Sequence, residues 1–356
     1  MSIFRRIDLY LILPSLAISG ISIFLLLSTS PNNSTQQVIF TVIGIFLFLL
    51  FSAFDFRFYP KFKNLLYILS LVLLGIIFLF PPIRSAHRWI DFGFFIFQPS
   101  EILKPFIIIV FASILRGLKK PGLPSVFLCL LLYLPLVILV FLQPDLGNTI
   151  IYLSIIIGLF IISGVDHKIL LSGSVAFFIF LPAFWLVLKE YQRQRIFSFL
   201  NPSLDPSGSG YNAIQSMIAI GSGGLFGLGL GKGTQSRLLF LPEFQTDFIY
   251  ASLVESLGFI GGFLLILFYL TVLIRIIFIA VNTQSRFGRF LCLGIFCQIF
   301  IQILINIGMN LGILPITGIT LPLLSYGGSS IVSTYISLGM VNGIYSYLPK
   351  KLLVIR

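Results

Sequence analysis

Long apolar runs recur from one end of this chain to the other, and they restrict it to folds that a lipid bilayer can surround. Of its 356 residues, 58% are hydrophobic and 10% are charged. An ordinary soluble domain has about a quarter of its residues charged. One aqueous core cannot hide that much apolar surface, and repeated runs of this length are the pattern of membrane-crossing helices. Candidate spans lie near residues 10–27, 38–54, 65–80, 102–115, 126–142, 149–162, 169–188, 248–273, 290–311 and 329–348. Several fall short of the roughly 20 residues a bilayer needs, so they must tilt or continue into flanking polar residues. The expected fold is an all-α polytopic membrane protein with ten transmembrane helices, forming a single membrane domain over residues 1–356.

Charge sets the expected orientation. The formal net charge is +12, and the basic residues flank the apolar runs. With the N-terminus inside, the inner segments hold fifteen of the 23 Lys and Arg residues: Arg5, Arg6, Arg57, Lys61, Lys63, Arg116, Lys119, Lys120, Lys168, Arg275, Arg286, Arg289, Lys350, Lys351 and Arg356. The outer segments hold seven, Arg84, Arg88, Lys189, Arg193, Arg195, Lys232 and Arg237, while Lys104 lies within a span. This asymmetry predicts N- and C-termini in the cytoplasm. No basic patch interleaved with aromatics lies outside the membrane, so nucleic acid is not an expected partner. Arg5 and Arg6 precede the first run without a clear cleavage site before Ser28, so that run reads as an uncleaved span. Cys129, Cys292 and Cys297 sit inside apolar runs as small hydrophobes, without zinc spacing.

Most of the outer basic residues fall in one segment. Residues 189–246, between spans seven and eight, form a large extracytoplasmic loop that is too long for a plain connector. It holds the turn formers Asn201-Pro-Ser-Leu-Asp-Pro-Ser-Gly-Ser-Gly210, then a short stretch at 211–220 that reads as an interfacial helix, then a glycine run from Gly221 to Gly233. A Walker A loop is excluded, because Gly233 follows Lys232 and Phe226 stands where the first glycine is required. Two readings of the run remain. It is a close-packed re-entrant segment, or its amides and Lys232 line a path for pyrophosphate.

The loop closes on Leu241-Pro-Glu-Phe-Gln-Thr-Asp-Phe-Ile-Tyr250, which puts Glu243 and Asp247 at the edge of a membrane helix. Charge at membrane depth is costly and marks a substrate or ion pathway. Four residues apart, the two share a face if helical, with Thr246 as N-cap and Asp247 in the first turn. Asp247 then either complements the helix dipole or accepts a proton from an attacking hydroxyl. Glu255 lies two turns deeper in the same span. Glu101 and Lys104, three apart, read as mutual neutralisation or as the lining of a polar cavity. Asp145, in Gln143-Pro-Asp-Leu-Gly147, sits at a turn between spans five and six. Trp89 reads as an interfacial anchor and Arg88 as a contact for an anionic headgroup. His87 and His167 fall on opposite sides, so they suggest no metal site.

Several motifs together resemble the SEDS family (shape, elongation, division and sporulation), membrane proteins of the RodA and FtsW type. They are Asn201-Pro-Ser-Leu-Asp-Pro with Gly210-Tyr-Asn-Ala-Ile-Gln-Ser216, Gly231-Lys-Gly-Thr-Gln-Ser236, Leu241-Pro-Glu243 with Thr246-Asp-Phe-Ile249, and Pro322-Leu-Leu-Ser-Tyr-Gly-Gly-Ser-Ser330. The Gly-Thr-Gln-Ser stretch and Leu314-Pro-Ile-Thr-Gly318 are more similar to RodA than to FtsW. The resemblance implies ten spans in the bacterial cytoplasmic (inner) membrane. It also implies a peptidoglycan glycosyltransferase that polymerises lipid II for cell elongation, with undecaprenyl pyrophosphate as the leaving group. Asp247 matches the family's essential aspartate, and Arg88, Glu101, Lys104 and Asp145 match polar positions of its outer cavity. Gln245 stands where many members carry His.

On this reading the 4-hydroxyl of the acceptor's GlcNAc attacks C1 of the donor's MurNAc with inversion. Asp247 is the base, or with Glu243 places a divalent cation (Mg or Mn). Arg193, Arg195, Lys232 and Arg237 contact pyrophosphate. The implied partners are lipid II, a class B penicillin-binding protein transpeptidase, the cell-elongation machinery and membrane lipids. Two rivals stand beside it: a lipid flippase with Glu101, Lys104 and Glu255 along its path, and a non-catalytic scaffold for the transpeptidase. The concentration of polar residues in the outer loop favours the enzyme.

Overall fold

The computed structural model describes residues 7–83, 86–93, 95–118, 121–202, 205 and 208–348. Arg5, Arg6, Arg84, Lys119, Lys120, Lys350, Lys351 and Arg356, which carry part of the sidedness argument, lie outside the described residues. The chain is mostly helical. In order it forms α1 (Leu9–Thr29), α2 (Pro31–Ala53), α3 (Lys63–Ile76), a hairpin of β1 (Ile90–Asp91) and β2 (Ile96–Phe97), α4 (Pro99–Ile102), α5 (Lys104–Leu115), α6 (Leu123–Leu142), α7 (Leu146–Ser163), α8 (His167–Val187), α9 (Glu190–Leu200), α10 (Ser209–Ser222), α11 (Thr234–Arg237), α12 (Ile249–Asn282), α13 (Arg286–Asn310) and α14 (Gly328–Tyr345). Short 3-10 turns at Phe56–Phe62 and Ile77–Leu79 flank α3.

Seven of these helices are long and apolar enough to cross a membrane among the described residues: α1, α2, the composite Phe56–Leu79, α6, α7, α12 and α13. Local chemistry sets many of their ends. Asp8, Asp145, Asp166 and Ser285 cap α1, α7, α8 and α13 by accepting backbone N–H bonds. Gly164, in the left-handed region, ends α7. At the end of the bundle where α1 begins, Arg275 on α12 pairs with the buried Asp8 at 2.5 Å, and the Asp8 amide donates to the Asn342 side chain of α14.

The polar helix α14 occupies the interior. Ser330, Ser333, Thr334, Ser337 and Asn342 on it are buried, and their hydroxyls and amides bond within the bundle, as from Ser333 to the Glu101 carbonyl at 2.7 Å. It lies along α2, where Gly44 admits the Tyr335 ring and Gly339 meets the Phe48 backbone. Small residues that let helices approach closely are the usual means of association in lipid.

The glycine run is neither a phosphate loop nor a plain connector. It inserts into a break in α12 at Gly258 (φ 71°, ψ −172°). In an unbroken helix the amides of Phe259 and Ile260 would donate to the carbonyls of Glu255 and Ser256. Here they donate to Gly224 and Leu225 at 2.8 and 3.2 Å. The freed carbonyls of Glu255 and Ser256 accept from Leu228 and Gly229 at 2.9 and 3.0 Å. A broken helix needs its backbone groups satisfied by protein, and this segment supplies the partners. The Glu255 carboxylate adds a second latch. It accepts from the Gln235 amide at 2.8 Å, the Ser236 amide at 3.1 Å and the Ser236 hydroxyl at 2.5 Å.

Candidate active site

Asp247 lies in the turn before α12 and not in its first helical turn, contrary to the expectation from sequence. α12 begins at Ile249 with Phe248 at its N-cap position, and Thr246 turns back to bond Glu243 instead of capping it. The cause is Glu243, which takes a left-handed conformation (φ 53°). Its carbonyl accepts from the amides of Thr246, Asp247 and Phe248 at 3.1, 3.1 and 3.2 Å. Glu243 and Asp247 therefore belong to a tight turn, not to one face of a helix.

That turn is held from outside at three successive carbonyls. The Gln245 carbonyl accepts from the Tyr326 amide at 2.8 Å. The Thr246 carbonyl accepts from the Ser325 hydroxyl at 2.6 Å. The Asp247 carbonyl accepts from the side-chain amides of Asn306 at 2.9 Å and Asn310 at 3.0 Å. The Gln245 side chain bonds Ser30 and Asn33 on the α1–α2 side. It is a tether for the turn.

The half-buried Asp247 carboxylate faces Gly318. A Cβ at Gly318 would lie 3.5 Å from Asp247 Oδ2 and 3.8 Å from Arg195 Nη1. Carboxylate and guanidinium thus both border the space left open by the missing side chain of Gly318. Arg195 also lines a cavity with Ser198, Phe199, Ala213, Met217 and Pro315, between α9, α10 and the segment after α13. Beneath α9, Asp205 accepts from the Ser198 and Ser209 hydroxyls and the Gly210 amide at 3.0, 3.2 and 3.3 Å. Burial pushes its carboxyl up, but these bonds outweigh burial and hold it below its ordinary value.

A second polar cluster is buried nearby. Lys104 Nζ pairs with Glu101 Oε1 at 2.6 Å. Asp145 caps α7 and accepts from the Gln98 and Asn148 side-chain amides at 3.0 and 2.8 Å. Arg88 donates to the Gln143 and Pro144 carbonyls and stacks over Trp89, so it braces the turn that presents Asp145. Gly147, two residues into α7, abuts the Thr317 carbonyl and Ile319. The irregular segment around Gly318 therefore touches α7 beside Asp145 through Thr317 and Ile319, and Asp247 and Arg195 through Gly318.

The remaining basic residues go elsewhere. Arg193 donates to the carbonyls of Trp185 and Leu186 at 3.2 and 3.1 Å and caps the end of α8. That end leaves carbonyls without intrahelical partners, which a nearby guanidinium satisfies. Lys232 and Arg237 are exposed, on the glycine run and on α11. Among the described residues no three His, Cys, Asp or Glu side chains come together. Reading from sequence gave no role to Asn306, Asn310 or Ser325, the last quoted only as part of the 322–330 motif. A signal for two of them existed: Gln298, Gln302, Asn306 and Asn310 recur every four residues and form a buried polar stripe on an apolar helix.

The profile of the FTSW_RODA_SPOVE family, described as "Cell cycle protein", matches residues 2–349. The peptidoglycan glycosyltransferase MrdB of Escherichia coli (strain K12) is 40% identical over 296 residues, covering 82% of this chain and 80% of that protein. Stage V sporulation protein E of Bacillus subtilis (strain 168) is 34% identical over 88% of this chain and 86% of its own length. Among solved structures, a chain from a study of how a peptidoglycan synthase complex coordinates polymerization and crosslinking superposes with a TM-score of 0.82 at 29% identity, covering 96% of this chain and 98% of that one. The crystal structure of the rod shape determining protein RodA of Thermus thermophilus gives 0.72 at 27% identity, covering 95% and 96%.

Proposed function

This chain belongs to the SEDS family of FtsW, RodA and SpoVE proteins, and on that premise we propose that it is a peptidoglycan glycosyltransferase that polymerises lipid II for cell elongation. The observation that carries the assignment of roles is the Asp247 carboxylate, fixed by its backbone and set across Gly318 from Arg195. The 4-hydroxyl of the acceptor sugar attacks C1 of the donor. The C1–O4 bond forms as the bond from C1 to the pyrophosphate oxygen breaks with its electron pair. The hydroxyl proton passes to Asp247, and undecaprenyl pyrophosphate departs. Arg195 is the cation best placed to meet the charge that develops on the leaving group.

The same reading places the protein in the bacterial cytoplasmic membrane with ten spans. The seven long apolar helices are joined by α4–α5, α8 and α14, and residues 189–246 form the outer loop within a single membrane domain. Its partner is a class B penicillin-binding protein transpeptidase, in keeping with the synthase complex among its structural neighbours. The flippase reading loses support because Glu255 is engaged by Gln235 and Ser236, and Glu101 by Lys104.

The test is glycan-strand formation from lipid II by the purified protein with its transpeptidase, comparing wild type with Asp247→Asn. Polymer from wild type alone, with the variant folded and partner-bound, is the expected result. Equal polymer from both removes Asp247 as the base. No polymer from either, where a known polymerase works, favours the scaffold or flippase.

A further inference from the structure

Asp247 carries its carboxylate on a turn rather than on a helix, so the rigidity that a helix would give must come from elsewhere. Two buried asparagines from α13 supply it. Asn306 Nδ2 donates to the Asp247 carbonyl at 2.9 Å and to the Ile319 carbonyl at 2.7 Å. Asn310 Nδ2 donates to the same Asp247 carbonyl at 3.0 Å and to the Asn306 carbonyl at 2.8 Å. Carbonyls can only accept, so both amide groups must point this way. Asn310 Oδ1 accepts from the Ala251 amide at 3.1 Å, which can only donate, and this excludes the flipped amide. Both side chains are fully buried.

These two residues connect the parts of the site that must stay in register. Asn306 ties Asp247 to Ile319, the neighbour of Gly318, and Gly318 is the residue whose open space Asp247 and Arg195 both border. Asn310 ties the turn to the first helical turn of α12 through Ala251. With the backbone carbonyl held by two donors, the carboxylate can swing only about its own two side-chain torsions.

We infer that Asn306 and Asn310 are positioning residues that aim the Asp247 carboxylate at the attacking hydroxyl. The inference rests on the reading of Asp247 as the base. Misplacing a reacting group by an ångström costs on the order of 100-fold in rate. It costs little in substrate binding, because the asparagines do not reach the open side of the site.

The test measures polymerisation by Asn306→Ala and Asn310→Ala across lipid II concentrations, with thermal denaturation and a parallel Asp247→Asn control. The expected result is kcat reduced roughly 10- to 100-fold with KM changed less than about two-fold in folded protein. Wild-type kcat in both variants overturns the inference. So does a loss of activity that tracks loss of folded protein, or a rise in KM that accounts for it, because either assigns the asparagines a structural or binding role. Should Asn306→Ala not fold, Asn310→Ala keeps the Asn306 bond and decides the matter, and failure of both to fold counts against positioning. An active Asp247→Asn brings down the underlying assignment of the base. An inactive one beside wild-type asparagine variants brings down this inference alone.

Discussion

Gly258→Ala tests whether the glycine run is held in place by the break in α12. The wild-type conformation at Gly258 (φ 71°, ψ −172°) lies in a region only glycine enters freely, and forcing alanine into it costs about 1–3 kcal/mol. The new Cβ would also collide with backbone atoms of Gly227 and Leu225, which no side-chain rotation can relieve. The chain has an alternative. If α12 straightens, Phe259 and Ile260 recover the carbonyls of Glu255 and Ser256, and the four bonds to residues 224, 225, 228 and 229 are given up for two. At about 0.5–1.5 kcal/mol per bond, the net loss of two is about 1–3 kcal/mol. The helical preference of alanine over glycine returns about 1 kcal/mol. Release therefore costs less than retention once the backbone clash is added, and the segment should leave. Hydrogen exchange reads the outcome by region. Leu228 and Gly229 should lose protection in the variant, while Phe259 and Ile260 keep theirs, now as helix donors. Unchanged protection at 228 and 229 would refute the reasoning, and so would equal loss across all four amides.

Two further predictions follow from the charged groups. Lys104→Met leaves the Glu101 carboxylate buried without its partner and should destabilise the protein by about 3–5 kcal/mol, whereas Lys104→Met combined with Glu101→Gln should cost less than the single change; thermal denaturation in one detergent checks this, and a double variant no more stable than the single shows the pair is uncoupled. Asp205 has its carboxyl held below the ordinary value of 3.8, so the stability it adds to the α9–α10 junction is complete above that pH and lost only as pH falls through the lower, folded-state value; hydrogen exchange of Gly210 and Tyr211 should open on acidification below about pH 4, and Asp205→Asn should remove that step.

Much of the architecture was legible because a bilayer leaves few options. Apolar runs must be helices there, and the expected runs fall on helices, seven of which are long and apolar enough to cross a membrane among the described residues. The short helix expected near 211–220 is α10, and the three-residue spacing of Glu101 and Lys104 does bring them into an ion pair. Periodicity misled at Asp247. A spacing of four implies a shared face only if the residues are helical, and Glu243 in the left-handed region breaks that condition. Arg193 and Arg195 lie two apart on α9, yet one caps α8 and the other faces Asp247.

Sequence by itself determined the solvent of this protein, its helical class and its family, and it put forward the Asp247 carboxylate on which the proposed chemistry rests, because hydropathy and motif spacing are local properties of the chain. Only the tertiary structure decided how that carboxylate is held. Its restraints come from Asn306, Asn310 and Ser325, about 60 to 80 residues away in the chain, and the glycine run finds its hydrogen-bond partners inside a helix broken to receive it. Hydrogen bonds between distant segments depend on which carbonyls are left without local partners, and that is settled only when the helices have packed.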